Sequence, residues 1–151
     1  MAALESPQPT LLEGNTPIFR VESLSASIDY YVNVLGFMVD WHEPGIMASV
    51  SRRSRCSLML CEGDQGHPGT WVWIGAEDVE SLFEEYKLTG AKIRHPPTNY
   101  AWAYEMQIED PDGHVLRFGS EPKNDQPLGE WLDAQGNRWV KSEAGGWTKV
   151  K

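Results

Sequence analysis

The tetrapeptide Asp110-Pro111-Asp112-Gly113 can do little other than reverse the chain. Its proline presets φ, its aspartates cap their own backbone, and its glycine accepts φ > 0. On either side, "YEMQIE" and "HVLRF" alternate large apolar with polar residues, the period of a half-buried strand. Two such strands joined by a tight turn make a hairpin. One face of it carries Glu105, Gln107 and Glu109 on the first strand, or Arg117 on the second. Three fates are open to that polar face: a metal, an organic ligand, or water.

The rest of the chain reads as one element order used twice. "TPIFRV" is short and extended, with Pro17 admissible only at a strand's start or edge. Leu24, Ile28, Tyr31, Val32 and Leu35 then recur at helical steps, with Ser23 or Ser25 available as N-cap and Gly36 as the stop. "FMVDWH", "GIMASVSR" and "CSLMLCE" follow as antiparallel strands, separated by Glu43-Pro44-Gly45 and by the basic "SRRSR". Beyond a linker dense in Gly and Pro, Gly63 to Thr70, the order returns. "WVWIGA" is a strand, "EDVESLFEEYKLTG" a helix with Val79, Leu82, Phe83 and Tyr86 inward and Gly90 as the stop, and "AKIRHPP" a strand leading to the hairpin.

The expected fold class is therefore α+β: duplicated βαβββ modules forming a cupped mixed sheet, with an added C-terminal β-rich tail. Each module alone would leave a sheet face bare, so the two must pack together. The expected layout is a flexible lead-in over residues 1–15, a duplicated domain over 16–121 with modules 16–62 and 70–121, and an extension over 122–151. In the extension Trp131, Trp139 and Trp147 recur every eight residues, and turn signals at Asp133–Gly136 and Ala144–Gly146 predict short strands between them. Such strands cannot form a core alone, so the tail is expected to cover its own subunit or a partner.

A formal net charge of -9 argues against nucleic-acid or anionic-membrane partners, which need a basic footprint, and suits a cationic ligand. Cys56 and Cys61 lie five apart in one strand, on opposite faces, which disfavours a mutual disulfide. There is no basic-then-apolar leader and no apolar run near the roughly 18 residues of a spanning helix. A soluble cytoplasmic protein is expected.

"YYVNVLGF" and, half a chain later, "DPDGHVLRF" resemble the "FYxxxLGF" and "DPDGxxxxF" patterns of the glyoxalase/bleomycin-resistance/extradiol-dioxygenase (vicinal oxygen chelate) superfamily. The resemblance spans residues about 16 to 121 and implies the duplicated fold and a homodimer with clefts between subunits. It leaves two activities: a metal-dependent lyase, isomerase or dioxygenase, or a metal-free binding protein. The enzymes of that family place His, Gln or Glu in the cup of each sheet. By register the corresponding positions here are Thr16, Met59, Trp71 and Arg117, none suited to a hard divalent ion. A guanidinium repels a metal and attracts a carboxylate. No metal ligand, catalytic residue or cofactor is assigned on this reading.

The chain is instead rich in tryptophan. Large flat side chains bury planar ligands, and their faces favour cations. The candidate ligand-binding residues are Trp41, Trp71, Trp73, Trp102, Tyr104, Glu105 and Arg117, with Glu105 expected to face solvent. The function expected is non-catalytic binding of a planar or cationic small molecule. The resemblance to bleomycin-resistance proteins implies antibiotic sequestration as its class, and a metal-dependent enzyme is the alternative.

Overall fold

The computed structural model describes residues 8–151, so residues 1–7 of the expected lead-in lie outside the described residues. The first half of the chain contains β1 (Ile18–Arg20), α1 (Leu24–Asp29), a π-helical turn (Tyr30–Val34), β2 (Met38–Glu43), β3 (Met47–Arg52) and β4 (Cys56–Cys61). The second contains β5 (Trp71–Gly75), α2 (Val79–Thr89), β6 (Lys92–Asn99), β7 (Tyr104–Glu109) and β8 (Val115–Ser120). Each half forms a four-stranded mixed sheet, ordered β1-β4-β3-β2 and β5-β8-β7-β6, with its first and last strands parallel. The fold is α+β, and the element order occurs twice.

Strand alternation sorts the side chains. Phe19, Leu58, Leu60, Met106, Leu116 and Phe118 point inward to a single core shared by both halves, closed by Leu24, Tyr31 and Tyr86 from the helical segments. The opposite faces of the two sheets form the cups. Cys56 and Cys61 are free thiols at the two ends of β4. Among the described residues no helix is long and apolar enough to cross a membrane.

The two helical segments are built alike except for one residue. Ser23 caps α1 by accepting from the Ala26 N–H, and Asp78 caps α2 by accepting from the Ser81 N–H. Both segments stop at a glycine in the left-handed region, Gly36 (φ 78°) and Gly90 (φ 84°). A fully buried tyrosine precedes each stop, Tyr31 by five residues and Tyr86 by four. Regular periodicity predicted an uninterrupted α-helix to Leu35. The structure instead absorbs the extra residue in a π turn, where the Leu35 N–H donates to the Tyr30 carbonyl at 3.0 Å. The closing bond from Phe37 N–H to Tyr31 C=O is accordingly one residue longer than that from Ala91 N–H to Tyr86 C=O.

The Asp110–Gly113 turn locks the halves together. Asp110 accepts the N–H groups of Asp112 and His114 and the hydroxyl of Tyr31, each at 2.9 Å. Burial raises the Asp110 carboxyl above its ordinary pKa. His114, which follows the turn at the start of the final strand, is fully buried and acts as a brace. Its Nδ1 accepts from the Thr70 N–H, its Nε2 donates to the Arg20 carbonyl at 2.6 Å, and its ring stacks on Phe19 with centroids 4.3 Å apart.

The tail forms an antiparallel meander of β9 (Trp131–Leu132), β10 (Arg138–Lys141) and β11 (Trp147–Lys149). Trp131 pairs with Trp139, and Lys141 pairs with Trp147. Residues opposite one another, or two apart on a strand, share a face, so the eight-residue step puts the indoles of Trp131, Trp139 and Trp147 on one side. The connection to the second sheet is pinned by Asn99. Its Nδ2 donates to the carbonyls of Lys123 and Gln126, and its own carbonyl accepts from the Gly129 N–H. A Cβ at Gly129 would overlap the Thr98 side chain, so the chain can pass this close only without one.

Candidate functional site

On β5, β7 and β8 the residues that alternate with the core are Trp71, Trp73, Glu105, Gln107 and Arg117, and together they floor the second cup. Much of this polar face is covered by the chain's own tail. Arg117 donates through Nε and Nη2 to the two oxygens of Glu105 at 2.9 and 3.0 Å, and its guanidinium lies 4.8 Å over the Trp131 ring. Gln107 accepts from Arg94 and donates to the Leu132 carbonyl. Glu105 does not face solvent as the sequence suggested. It is 1 % exposed and accepts the Trp102 indole N–H as well as the guanidinium. A carboxylate so deep must be paired, and the fork of Arg117 supplies the pair.

The tail does not fill the cup completely. A cavity of about 520 Å³ remains, lined by Trp102, Arg117, Trp131, Asp133, Trp139 and Trp147. Trp102 stacks flat on Tyr100, with centroids 4.8 Å apart and planes within 3°. Trp131 meets Trp102 edge to face at 6.0 Å, and Trp147 lies tilted against it at 6.1 Å. A neighbouring cavity of about 470 Å³ shares Trp102 as a wall and adds Trp73 and Gly119. Gly119 is required there, since a Cβ would come 2.8 Å from the Trp73 indole.

The electrostatics of the larger cavity are lopsided. Arg117 is neutralised by Glu105, which leaves Asp133. One oxygen of Asp133 accepts from Trp139 Nε1 at 2.8 Å and the other from the N–H groups of Gln135 and Asn137. These bonds, the Trp139 bond first, hold its carboxyl below the ordinary carboxylate range. An aromatic enclosure with one uncompensated carboxylate is complementary to a cation.

Of the residues singled out from sequence, Trp71, Trp73, Trp102, Glu105 and Arg117 come together in the second cup. Tyr104 points to the other side of the sheet, into the helix-facing core, with its hydroxyl donating to Glu80 at 3.2 Å. Trp41 lies on β2 of the first sheet opposite Ser49, away from this cavity. Trp131, Asp133, Trp139 and Trp147 were legible only as a hairpin pattern. Which surface their shared face would meet could not be read from spacing alone.

The donor set does not fit a divalent metal. Among the described residues no three His, Cys, Asp or Glu side chains converge. Glu105 is bound to Arg117, Glu62 accepts from the Leu24 N–H at the start of α1, and Glu109 pairs with Lys92.

Residues 15–118 match the family model described as the Glyoxalase/Bleomycin resistance protein/Dioxygenase superfamily. No curated protein sequence matches the chain significantly. Among solved structures, the bleomycin-binding protein of Streptomyces verticillus, complexed with copper(II)-bleomycin, superposes with a TM-score of 0.63 at 22% identity, over 74% of this chain and 98% of that one. An antibiotic-binding protein from a Streptomyces species gives 0.62 at 22% identity, over 76% of this chain and 100% of that one. A glyoxalase/bleomycin resistance protein/dioxygenase from Nocardioides gives 0.58 at 18%, over 83% and 93%. At these identities the likeness is one of fold. It extends over about three quarters of this chain in the two Streptomyces comparisons.

Proposed function

Because the chain belongs to the glyoxalase/bleomycin resistance protein/dioxygenase superfamily, we propose that it is a non-catalytic protein that binds and sequesters a planar, cationic small molecule. The observation that carries this reading is the cavity walled by Trp102, Trp131, Trp139 and Trp147, with Asp133 its only uncompensated charge. Indole faces and a fixed carboxylate favour a flat cation over a neutral or anionic molecule of the same size. The structural neighbours described as a bleomycin-binding protein and an antibiotic-binding protein support sequestration as the activity class. We include in the proposal a cytoplasmic homodimer. The β2 edge of the first sheet supports the dimer, because Met38 and Trp41 on that strand and Ile46 in the turn after it are large, apolar and exposed.

The test is tryptophan fluorescence titrated with bleomycin and with planar cations such as ethidium and acridine orange, with and without chelator. Saturable quenching that is unchanged by chelator and lost in Trp102→Ala is expected. If no member of the panel quenches saturably, the proposal fails. Elemental analysis of protein purified without chelator tests the metal-dependent alternative, and a stoichiometric transition metal would favour it.

A further inference from the structure

The duplication poses the same contact twice, and the two copies are finished differently. In one, the Asp110–Gly113 turn closes onto the β1–α1 corner of the other half, with Asp112 accepting from the Glu22 N–H and Asp110 from the Tyr31 hydroxyl. In the other, the β3–β4 turn, Arg52 to Arg55, faces the β5–α2 corner. Only Arg52 makes that crossing, bidentate onto Glu85 and within 3.3 Å of the Tyr86 hydroxyl. The rest stands open as a cleft of about 920 Å³, on the helix-facing side of the sheets and separate from the tryptophan cavity.

Its floor is apolar, built from Phe37, Cys56, Ile74, Leu82 and Phe118, and Arg53 and Arg55 stand at its rim. Among the described residues neither of these two arginines has an ion-pair partner. Three carboxylates also line the cleft. Glu85 is neutralised by Arg52, which leaves Glu77 and Asp78, the latter capping α2 with its charge intact, beside two guanidinium groups that have no ion-pair partner among the described residues.

The turn itself is a second, independent observation. Arg53 (φ 55°) and Ser54 (φ 56°) both occupy the left-handed region, and the Arg55 N–H donates to the Arg52 carbonyl at 3.3 Å. This is a type I′ turn, which Asn-Gly fills without strain and Arg-Ser does not. Strain held where a cheaper residue pair exists points to a functional demand on the side chains presented. On a chain of net charge -9, that demand is for local positive charge.

We propose that this cleft binds a monoanionic amphiphile, an alkyl or aryl carboxylate. Its head group lies between Arg53 and Arg55, and its apolar body lies over Phe37, Leu82 and Phe118. A carboxylate matches the planar guanidinium fork, and the floor removes hydrocarbon from water.

Cys56 supplies a native reporter, since its thiol lines the cleft while Cys61 is buried at the far end of the same strand. The rate of Cys56 alkylation by iodoacetamide, read by mass spectrometry, should fall saturably with decanoate kept below its micelle concentration. The fall should reach about fivefold when free decanoate is about four times its dissociation constant, the fraction of sites then left empty. Decyltrimethylammonium should not protect. Arg53→Ser/Arg55→Ser should lose the protection, and Trp102→Ala should keep it whatever becomes of the tryptophan cavity. The turn-relaxing pair Arg53→Asn/Ser54→Gly should raise stability while weakening decanoate, which separates loss of the guanidinium from loss of the fold. Absent protection, equal protection by the cation, undiminished protection of the double serine variant, or its loss in Trp102→Ala would each overturn the proposal.

Discussion

Glu105 holds Arg117 by two parallel hydrogen bonds of 2.9 and 3.0 Å, from a position 1 % exposed. Removing one partner of a buried pair strands the other, whereas replacing both leaves nothing uncompensated. Arg117→Met should therefore cost about 3 kcal/mol in urea denaturation, and Glu105→Gln added to it should recover most of that loss. Arg117→Glu, which sets two carboxylates together, should be worse than Arg117→Met. A double variant as unstable as the sum of the single variants would show that the pair is not the coupled unit described.

Trp131 is the hub of the tail, touching Trp71, Tyr100, Trp102 and the Arg117 guanidinium. Trp131→Ala should weaken tail docking by about 3 kcal/mol while leaving the duplicated core folded. Limited proteolysis should then cut the connection between Glu121 and Glu130 faster, with the main urea transition little changed.

The π turn makes an unusual deletion tolerable. Asn33 is exposed and lies between Tyr31 and the Gly36 stop, where the first helical segment carries one residue more than the second. Deleting it should regularise the helix and change stability by no more than about 1 kcal/mol. Deleting Leu88, at the corresponding place in α2, should shift Tyr86 off its register and unfold the protein. Circular dichroism with urea melts of both deletions distinguishes these outcomes.

Burial holds the His95 imidazole below its ordinary pKa, with a smaller opposing effect from the Pro96 carbonyl. The unfolded chain takes up this proton near pH 6.5, before the folded one does. Between the two values the unfolded state binds more protons, so stability falls as pH drops below about 6.5 and levels off under the folded value. In His95→Gln that part of the pH dependence should vanish, as seen by subtracting melting curves taken between pH 5 and 8.

What could be read from sequence follows the range of the interactions involved. The strands, helix stops and the Asp110–Gly113 reversal rest on neighbours in the chain, and alternation placed Trp71 and Trp73 on one face and Arg117 opposite a polar partner. The π turn was hidden because one inserted residue leaves a helical repeat nearly intact to the eye. The burial of Glu105 and His114 depends on partners 12 and 94 residues away, Arg117 and the Arg20 carbonyl. The tail's tryptophans gave a strand pattern, but the cavity exists only because their common face lands on the second cup and not the first.

That landing has a thermodynamic side. A segment joined to its site by a short connection is present there at an effective concentration on the order of millimolar, and here the connection is further held by Asn99 and Gly129. The meander is thus a built-in competitor for the second cup. On the proposed function, a molecule small enough for the remaining 520 Å³ would bind without displacing it, whereas a larger one would first have to overcome the tether. On that reading the tail would act as a size filter that no residue of the duplicated core could provide.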